Sequence, residues 1–361
     1  MNLVIVAHAF APSIGGVETV SRILCEQLTL LGHRVTVLTM TQDDAGVFDV
    51  PYTVLRRPDR STLYRVFRQA DAVIESHITL GLTWPLYLGR LLGRLHLPGP
   101  FQSKALISVM HTPMLRENDT TRASRLKLFL LKQIRPYAVS EYLRQTQGVP
   151  CGLIQNPYDD KVFKRLPVDD VSDNLLFVGR LTAAKGCSVA IDAVAALNTG
   201  ELADVGRAPF HLDIVGRGED EEELRRQALA HGQQEFIHFR GPQTPAVLAR
   251  TMNQHRILLM PSASRPPEAF GLVAIEAIAC GCIPIGSQQG GLAEAIDGCG
   301  LTFPEGDVLA LARSVLEARN LLADRESLEA LEQRRSTYLQ RFLPVNVVAE
   351  YLRAVTNGSG L

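Results

Sequence analysis

Long apolar runs are missing from this 361-residue chain. No stretch approaches the roughly 18 consecutive apolar residues that a membrane-spanning helix needs. The opening segment "MNLVIVAHAF" has no basic n-region, and His8 and Pro12 interrupt its apolar run, so it does not read as a signal peptide. The expected location is the cytoplasm. Cysteine is sparse: six residues, at 25, 151, 187, 280, 282 and 299, scattered through apolar surroundings. That pattern fits a reduced compartment better than a disulfide framework. Only Cys280 and Cys282 lie close together, and no partners follow at zinc-like spacing, so no metal site is expected. Net charge is also nearly absent, at -1, which argues against a general nucleic-acid binder. The balance hides an asymmetry, since residues 1–165 carry 20 Lys and Arg against 13 Asp and Glu, leaving 17 against 25 in the rest. Internal repeats and a GxGxxG dinucleotide fingerprint are both missing.

What is present is alternation. "NLVIVA" is a short β-branched run suited to a strand covered on both faces, "VETVSRILCEQLTLLG" has helical periodicity, and "RVTVLTM" is the next strand, which together make a βαβ unit. "ADAVIES", "ALISVM", "YAVS" and "GLIQN" continue the series, with a basic helix "RASRLKLFLLKQI" among them. The polar segment "KRLPVDDVSDN" reads as a linker, and a second series of strands and helices starts at "NLLFVGR". After "GLTFPEGD" the chain is helical, with a last helix after Pro344 and a frayed tail "TNGSGL". The expected fold class is α/β, two doubly wound parallel sheets in tandem. Ligands of such sheets bind beyond the carboxyl ends of the strands.

Four stretches could carry chemistry there. In "HAFAPSIGGVE", Gly15 and Gly16 open a helix with Glu18 just inside; the helix start suits an anion such as a diphosphate, although a tight turn needs glycine just as much. In "FVGRLTAAKG", Arg180 leaves a strand and Lys185 follows five residues later, two cations suited to a leaving diphosphate or merely to a solvated loop. "IVGRGED" places Gly216 after a strand, and the acidic residues that follow complement a helix dipole. The fourth, "EAFGLVAIE", has Glu268 before a helix that Gly271 opens, and Glu276 inside it. Between the two carboxylates lie the free N–H groups of the helix start. Hydroxyl acceptor, anion site and hydroxyl acceptor in that order match the sugar, diphosphate and ribose of a nucleotide sugar; a dipole charge and a surface residue would give the same pair.

With "GGVE", "MHTP" at His111, "GRLTAAKG", "VGRG", "EAFGLVAIE" and "EAIACGCIPIG" followed by "GGLAEAI", the chain resembles the retaining glycosyltransferases of family 4 over nearly its whole length. The resemblance implies the GT-B fold, two Rossmann-like domains facing a central cleft: an acceptor-binding domain at 1–165, a nucleotide-sugar-binding domain at 166–343, and a helix at 344–361 crossing back to the first. It implies transfer of a hexosyl unit from a nucleotide-diphosphate sugar, UDP favoured, to a hydroxyl of a glycan, lipid-linked or small-molecule acceptor in cell-envelope or exopolysaccharide synthesis, with no metal and no cofactor beyond the co-substrate. By the same resemblance Arg180 and Lys185 hold the donor phosphates, Glu268 the transferred sugar, and the backbone of Ala269, Phe270, Gly271 and Leu272 the sugar and phosphate. Gly216 lies under the nucleotide, Glu276 clamps the ribose, Gly15 and Gly16 lie against the diphosphate, and Glu18 and His111 serve the acceptor side. Two departures are visible: Pro157 in "IQNPYD" replaces an expected turn glycine, and Cys282 stands where an aliphatic residue is more usual.

Three other functions stay open at this point. A nucleotide-sugar epimerase of similar architecture would change the donor with no acceptor present, a non-catalytic scaffold would bind the donor without turnover, and an NAD oxidoreductase is disfavoured by the missing fingerprint. The basic segment 122–135 interleaves cations with Leu126, Leu128, Phe129, Leu130 and Leu131, which suits either an anionic membrane surface or packing on its own domain. Acceptor choice is expected in the loops at 41–70 and 112–125.

Overall fold

Alternating strands and helices build two separate parallel sheets. The structure is a computed structural model that describes residues 1–13, 15–42, 50–113, 121–200, 202, 208–263 and 267–357. Parts of the two expected acceptor loops, 43–49 and 114–120, and most of the tail, 358–361, lie outside the described residues. The chain divides into two units: unit 1 holds Met1–Tyr158 and Phe342–Leu361, and unit 2 holds Asp159–Arg341.

Unit 1 runs β1 (Asn2–Ala7), α1 (Gly16–Leu30), β2 (Arg34–Thr39), β3 (Thr53–Arg56), α2 (Arg60–Gln69), β4 (Ala72–Ser76), α3 (Leu80–Arg94), β5 (Ala105–Met110), α4 (Arg122–Leu131), β6 (Arg135–Ala138), α5 (Glu141–Thr146) and β7 (Gly152–Leu153). The strands form one parallel sheet in the order β3-β2-β1-β4-β5-β6-β7. Leu3 to Ala7 are all buried, as strands covered on both faces require. α1 buries Val20, Ile23, Leu24 and Leu28, the i, i+3, i+4, i+8 stripe of a helix lying on a sheet. Side-chain caps fix other helix starts: Asp59 accepts from the N–H of Thr62 at 2.8 Å, and Ser140 from that of Leu143 at 3.2 Å.

Unit 2 continues with β8 (Ser172–Val178), α6 (Cys187–Asn198), β9 (Leu212–Val215), α7 (Glu221–Ala230), β10 (Ile237–Gly241), α8 (Pro245–Asn253), β11 (His255–Met260), α9 (Leu272–Cys280), β12 (Ile283–Ser287), α10 (Leu292–Ile296), β13 (Leu301–Phe303), α11 (Val308–Ala323) and α12 (Arg325–Leu339). Its sheet is again parallel, ordered β10-β9-β8-β11-β12-β13. Its core gathers Phe177, Ile191, Val194, Ile214, Leu259, Ile285 and Phe303, all nearly inaccessible. The final helix, α13 (Pro344–Thr356), belongs to unit 1, where it packs on α1 and beside β4 and β5 with Val347, Val348 and Tyr351 buried.

The unit boundary lies at 158/159, ahead of the expected 165/166, because the intervening residues are tied into unit 2. The N–H of Leu166 donates to Asn253 Oδ1 at 2.8 Å, Asn253 Nδ2 donates to the Lys164 carbonyl at 2.9 Å, and Arg165 pairs with Glu332. The second boundary falls at 341/342 rather than 343/344, with the Tyr158 N–H donating to the Phe342 carbonyl at 3.3 Å within unit 1. Both sheets reverse strand order once, between β1 and β4 and between β8 and β11, and each reversal opens a crevice at the carboxyl ends of the strands.

One buried cation ties the end of α9 to α12. Arg335 is 2% exposed; its Nη1 donates to the Gly281 carbonyl at 3.2 Å and to Glu332 Oε1 at 2.7 Å, and its Nη2 to the Cys282 carbonyl at 2.6 Å. Replacing it with Met leaves those carbonyls buried without a donor, at a cost of about 2–4 kcal/mol. Urea denaturation of Arg335→Met should show unit 2 unfolding at lower denaturant than in the wild type; an unchanged midpoint contradicts this role.

Candidate functional site

The crevice between β8 and β11 collects most of the residues singled out in the sequence. β8 ends at Val178, and the loop after it runs through the exposed Arg180 into a 3-10 turn, Ala183–Lys185. Gly186 follows at φ 68 and caps α6. A side chain there would put its Cβ 1.8 Å from the Pro261 carbonyl oxygen, so only glycine lets the β8 loop close onto the chain leaving β11. The Ala263 N–H donates to the Ala184 carbonyl at 2.9 Å and fixes the same contact.

That closure brings Lys185 and Glu268 together. The Lys185 ammonium donates to Glu268 Oε2 in a half-buried ion pair whose partners come from opposite sides of the strand-order reversal. The Lys185 stem runs beside Gly179, one residue ahead of Arg180. Glu268 is held in turn by its carbonyl, which accepts from the Gly291 N–H at 2.7 Å. Phe270 is buried. Gly271, at φ 91, is the N-cap of α9 and has no side chain to accept from the first-turn N–H groups of Leu272 and Val273. Gly216, at φ 140, follows β9 and approaches Gly179 so closely that a Cβ would lie 1.9 Å from the Gly179 carbonyl.

Glu276, one turn into α9, is 7% exposed, and its carboxyl makes no hydrogen bond among the described residues. Burial, reinforced by Asp159, pushes it up from 4.5 to about 8. A buried carboxyl without a partner is costly unless a ligand supplies one. Helix α9 begins only at Leu272, so Glu268 stands outside it, as the sequence implied, and the two carboxylates do not share one helical face.

The remaining candidates belong to unit 1. Gly15 is the N-cap of α1 in extended conformation, and the Glu18 carboxylate lies over it, 2.4 Å from where a Cβ would stand. The helix start thus already has a carboxylate beside it. His111, just past β5, is buried, and neither ring nitrogen makes a hydrogen bond of normal geometry among the described residues. Burial pushes its imidazole down to about 3; His77 adds to this and the neighbouring Asn156 offsets part of it. The ring is therefore neutral.

Sequence reasoning missed His77. It stands one residue past β4, in the same relation to its strand as His111 to β5, and its Nε2 accepts from the His111 backbone N–H at 3.1 Å. Its signal, a histidine closing the strand "AVIES", belonged to no motif. Among the described residues the Arg180 guanidinium has no partner.

Residues 159–336 match the family model described as glycosyl transferases group 1. A D-inositol 3-phosphate glycosyltransferase from Acidothermus cellulolyticus is 35% identical over 136 residues, covering 36% of this chain and 29% of its own. One from Geodermatophilus obscurus is 32% identical over 168 residues, covering 44% and 37%. The chain thus spans well under half the length of either relative it matches. Among solved structures, Anabaena HepE in complex with UDP superimposes with a TM-score of 0.76 at 18% identity, covering 99% of this chain and 100% of that one, a likeness of fold. The same protein is also known in complex with UDP-glucose. Residues 159–336, nearly all of unit 2, are thus similar to the glycosyl transferases group 1 family.

Proposed function

We propose that the protein is a retaining glycosyltransferase that moves a hexosyl unit from a nucleotide-diphosphate sugar, UDP-sugar foremost, to a hydroxyl of a glycan, lipid-linked or small-molecule acceptor in cell-envelope or exopolysaccharide synthesis. The observation that carries this reading is the Lys185–Glu268 pair across the β8/β11 reversal, together with a helix start without a side-chain cap and a buried carboxyl that has no hydrogen-bond partner among the described residues. The match of unit 2 to the glycosyl transferases group 1 model and the UDP and UDP-glucose complexes of HepE support the same reading. Lys185 and Arg180 hold the diphosphate, Glu268 receives hydroxyls of the sugar, the α9 start binds phosphate or sugar oxygens, and Glu276 receives the ribose hydroxyls. Unit 1 supplies the acceptor-side residues, His111 and Glu18 among them.

In the reaction the anomeric carbon exchanges its bond to the diphosphate oxygen for one to the acceptor oxygen on the same face. The proton of the acceptor hydroxyl passes to the departing phosphate oxygen. Negative charge grows on the diphosphate as the bond breaks, and the two cations stabilise it more than they stabilise the ground state. The two glutamates bind opposite ends of the donor, so the paired-carboxylate arrangement of glycoside hydrolysis does not apply. An epimerase would change the donor without an acceptor, and a scaffold would bind it unchanged; incubation with UDP-glucose, GDP-mannose and ADP-glucose, followed both as nucleotide release and as isomerisation of the nucleotide sugar, with and without glycan acceptors, separates the three.

A second surface carries the membrane reading. Along α4, Arg122, Arg125, Leu126 and Phe129 are all exposed, with Leu126 at 48% and Phe129 at 46%, while Leu130 and Leu131 are buried. Those exposed positions share one helical face, so cations and apolar side chains meet water together, as a helix lying on an anionic membrane would require. Such a surface would bring a lipid-linked acceptor within reach.

Three outcomes are expected. Lys185→Ala should lower turnover about 10²-fold or more; near-normal turnover rejects the phosphate role. Glu276→Gln should weaken nucleotide binding yet stabilise the fold, because Glu276 is ionised in the unfolded chain above about 4.5 and neutral in the folded protein up to about 8. Unfolding therefore releases a proton across that window, and wild-type stability falls as pH rises through it. The melting temperature of Glu276→Gln should exceed that of the wild type by a margin that grows from pH 5 to pH 8; a margin independent of pH contradicts the buried neutral carboxyl. Finally, the protein should sediment with vesicles containing phosphatidylglycerol and less with phosphatidylcholine alone, and Phe129→Ser with Arg125→Ser should weaken that binding. Equal sedimentation with both lipids rejects the surface.

A further inference from the structure

His77 combines an unfavourable backbone with a directed side chain. It is one of the few non-glycine residues in the left-handed region, at φ 62. Its neighbours hold it there from both sides. Its own N–H donates to the Val109 carbonyl at 3.0 Å, extending the β4–β5 ladder by one residue, and its carbonyl accepts from Thr79 Oγ1 at 3.2 Å. Below it, the fully buried Glu75 accepts from the Thr79 N–H at 2.6 Å, from Thr83 Oγ1 at 2.6 Å and from Tyr87 Oη at 2.7 Å, which closes the turn that contains His77.

The conformation aims the imidazole at the end of the neighbouring strand. Nε2 receives the His111 backbone N–H at 3.1 Å, and Thr112 Oγ1 lies 3.2 Å from the same nitrogen. Nε2 must therefore carry the lone pair and Nδ1 the proton. The two histidine rings meet edge to face, with centroids 5.7 Å apart. Both His111 ring nitrogens lack a well-formed partner among the described residues, with the Asn156 side chain beside the imidazole.

We propose that His77 is a positioning residue: by accepting the His111 backbone N–H and packing against its ring, it sets the direction in which the His111 imidazole is offered to the acceptor. This rests on the glycosyltransferase reading above and deepens it. The strained turn at 75–79 then has a function, since a glycine there would satisfy the backbone but leave the His111 N–H without its acceptor. A turn that served the fold alone would favour glycine.

That contrast supplies the test, with His77→Gly and His77→Gln. Glycine suits the left-handed backbone best and removes the acceptor. Glutamine suits it worst but places an amide oxygen as many bonds from Cβ as Nε2. UDP-glucose is the probe, with UDP release to water or added glycan as the readout. His77→Gly should lower kcat about 10-fold or more with the KM for UDP-glucose changed by less than about threefold, and His77→Gln should recover at least about a third of the wild-type kcat. In parallel, exchange of the His111 amide hydrogen should quicken in His77→Gly, a measurement that needs only that variant to fold. Wild-type kcat in His77→Gly, unchanged protection of the His111 amide, or glutamine rates below those of glycine would each overturn the assignment. A wild-type protein that neither binds nor turns over UDP-glucose would instead count against the glycosyltransferase reading, and this assignment would fall with it.

Discussion

The pairing of Lys185 with Glu268 is the contact around which unit 2 is arranged. Its partners sit on loops that leave β8 and β11, the two strands between which the sheet changes direction. A half-buried ion pair of this kind contributes little to stability, roughly 0–1 kcal/mol, so its significance is positional. It requires the β8 loop to press against the chain after β11, which requires Gly186 at that crossing, and it requires Glu268 to be held by the Gly291 N–H. Several glycines separated by about a hundred residues of sequence thus serve one local contact. In the proposed reading, a bound diphosphate and sugar draw the two charges onto different parts of the ligand.

Glu276 shows the opposite economy. Its burial is unfavourable to the folded protein, and no described side chain offsets it. A carboxyl in that state gains most from a ligand that brings hydroxyl donors, and loses least if replaced by an amide. In the proposed reading the same position opposes stability and favours binding, which is why its substitution is expected to move the two in opposite directions. His77 follows the same logic in unit 1, where an unfavourable backbone is retained and the side chain it directs has a specific partner.

Much of this was legible in the sequence because strand and helix periods are local. The apolar runs gave both series of strands, and Gly271 marked the start of α9 correctly. β3 and α2 were missed, since "TVLR" is too short for a period and "RSTLYRVFRQ" buries only Leu63 and Phe67. The boundary at 158/159 was displaced because "KRLPV" is polar enough to read as a linker, yet its backbone is hydrogen-bonded to Asn253, nearly ninety residues away. In the candidate site, residue types and spacing exposed Lys185, Glu268 and Glu276 but not the ion pair that joins the first two. His77 stayed hidden for a similar reason. Its partner is a backbone N–H on another strand, and no sequence pattern records which strands are neighbours.

The most direct test of a nucleotide site built on Glu276 is calorimetric titration of UDP at pH 7.5 in buffers of different ionisation enthalpy. Ribose hydroxyls donating to Glu276 favour its charged form, so a carboxyl held near 8 must give up its proton as the nucleotide binds. The account predicts that wild-type protein binds UDP and releases most of one proton, and that Glu276→Gln releases none. Absence of UDP binding to the wild type, or the same proton release from both proteins, would contradict it.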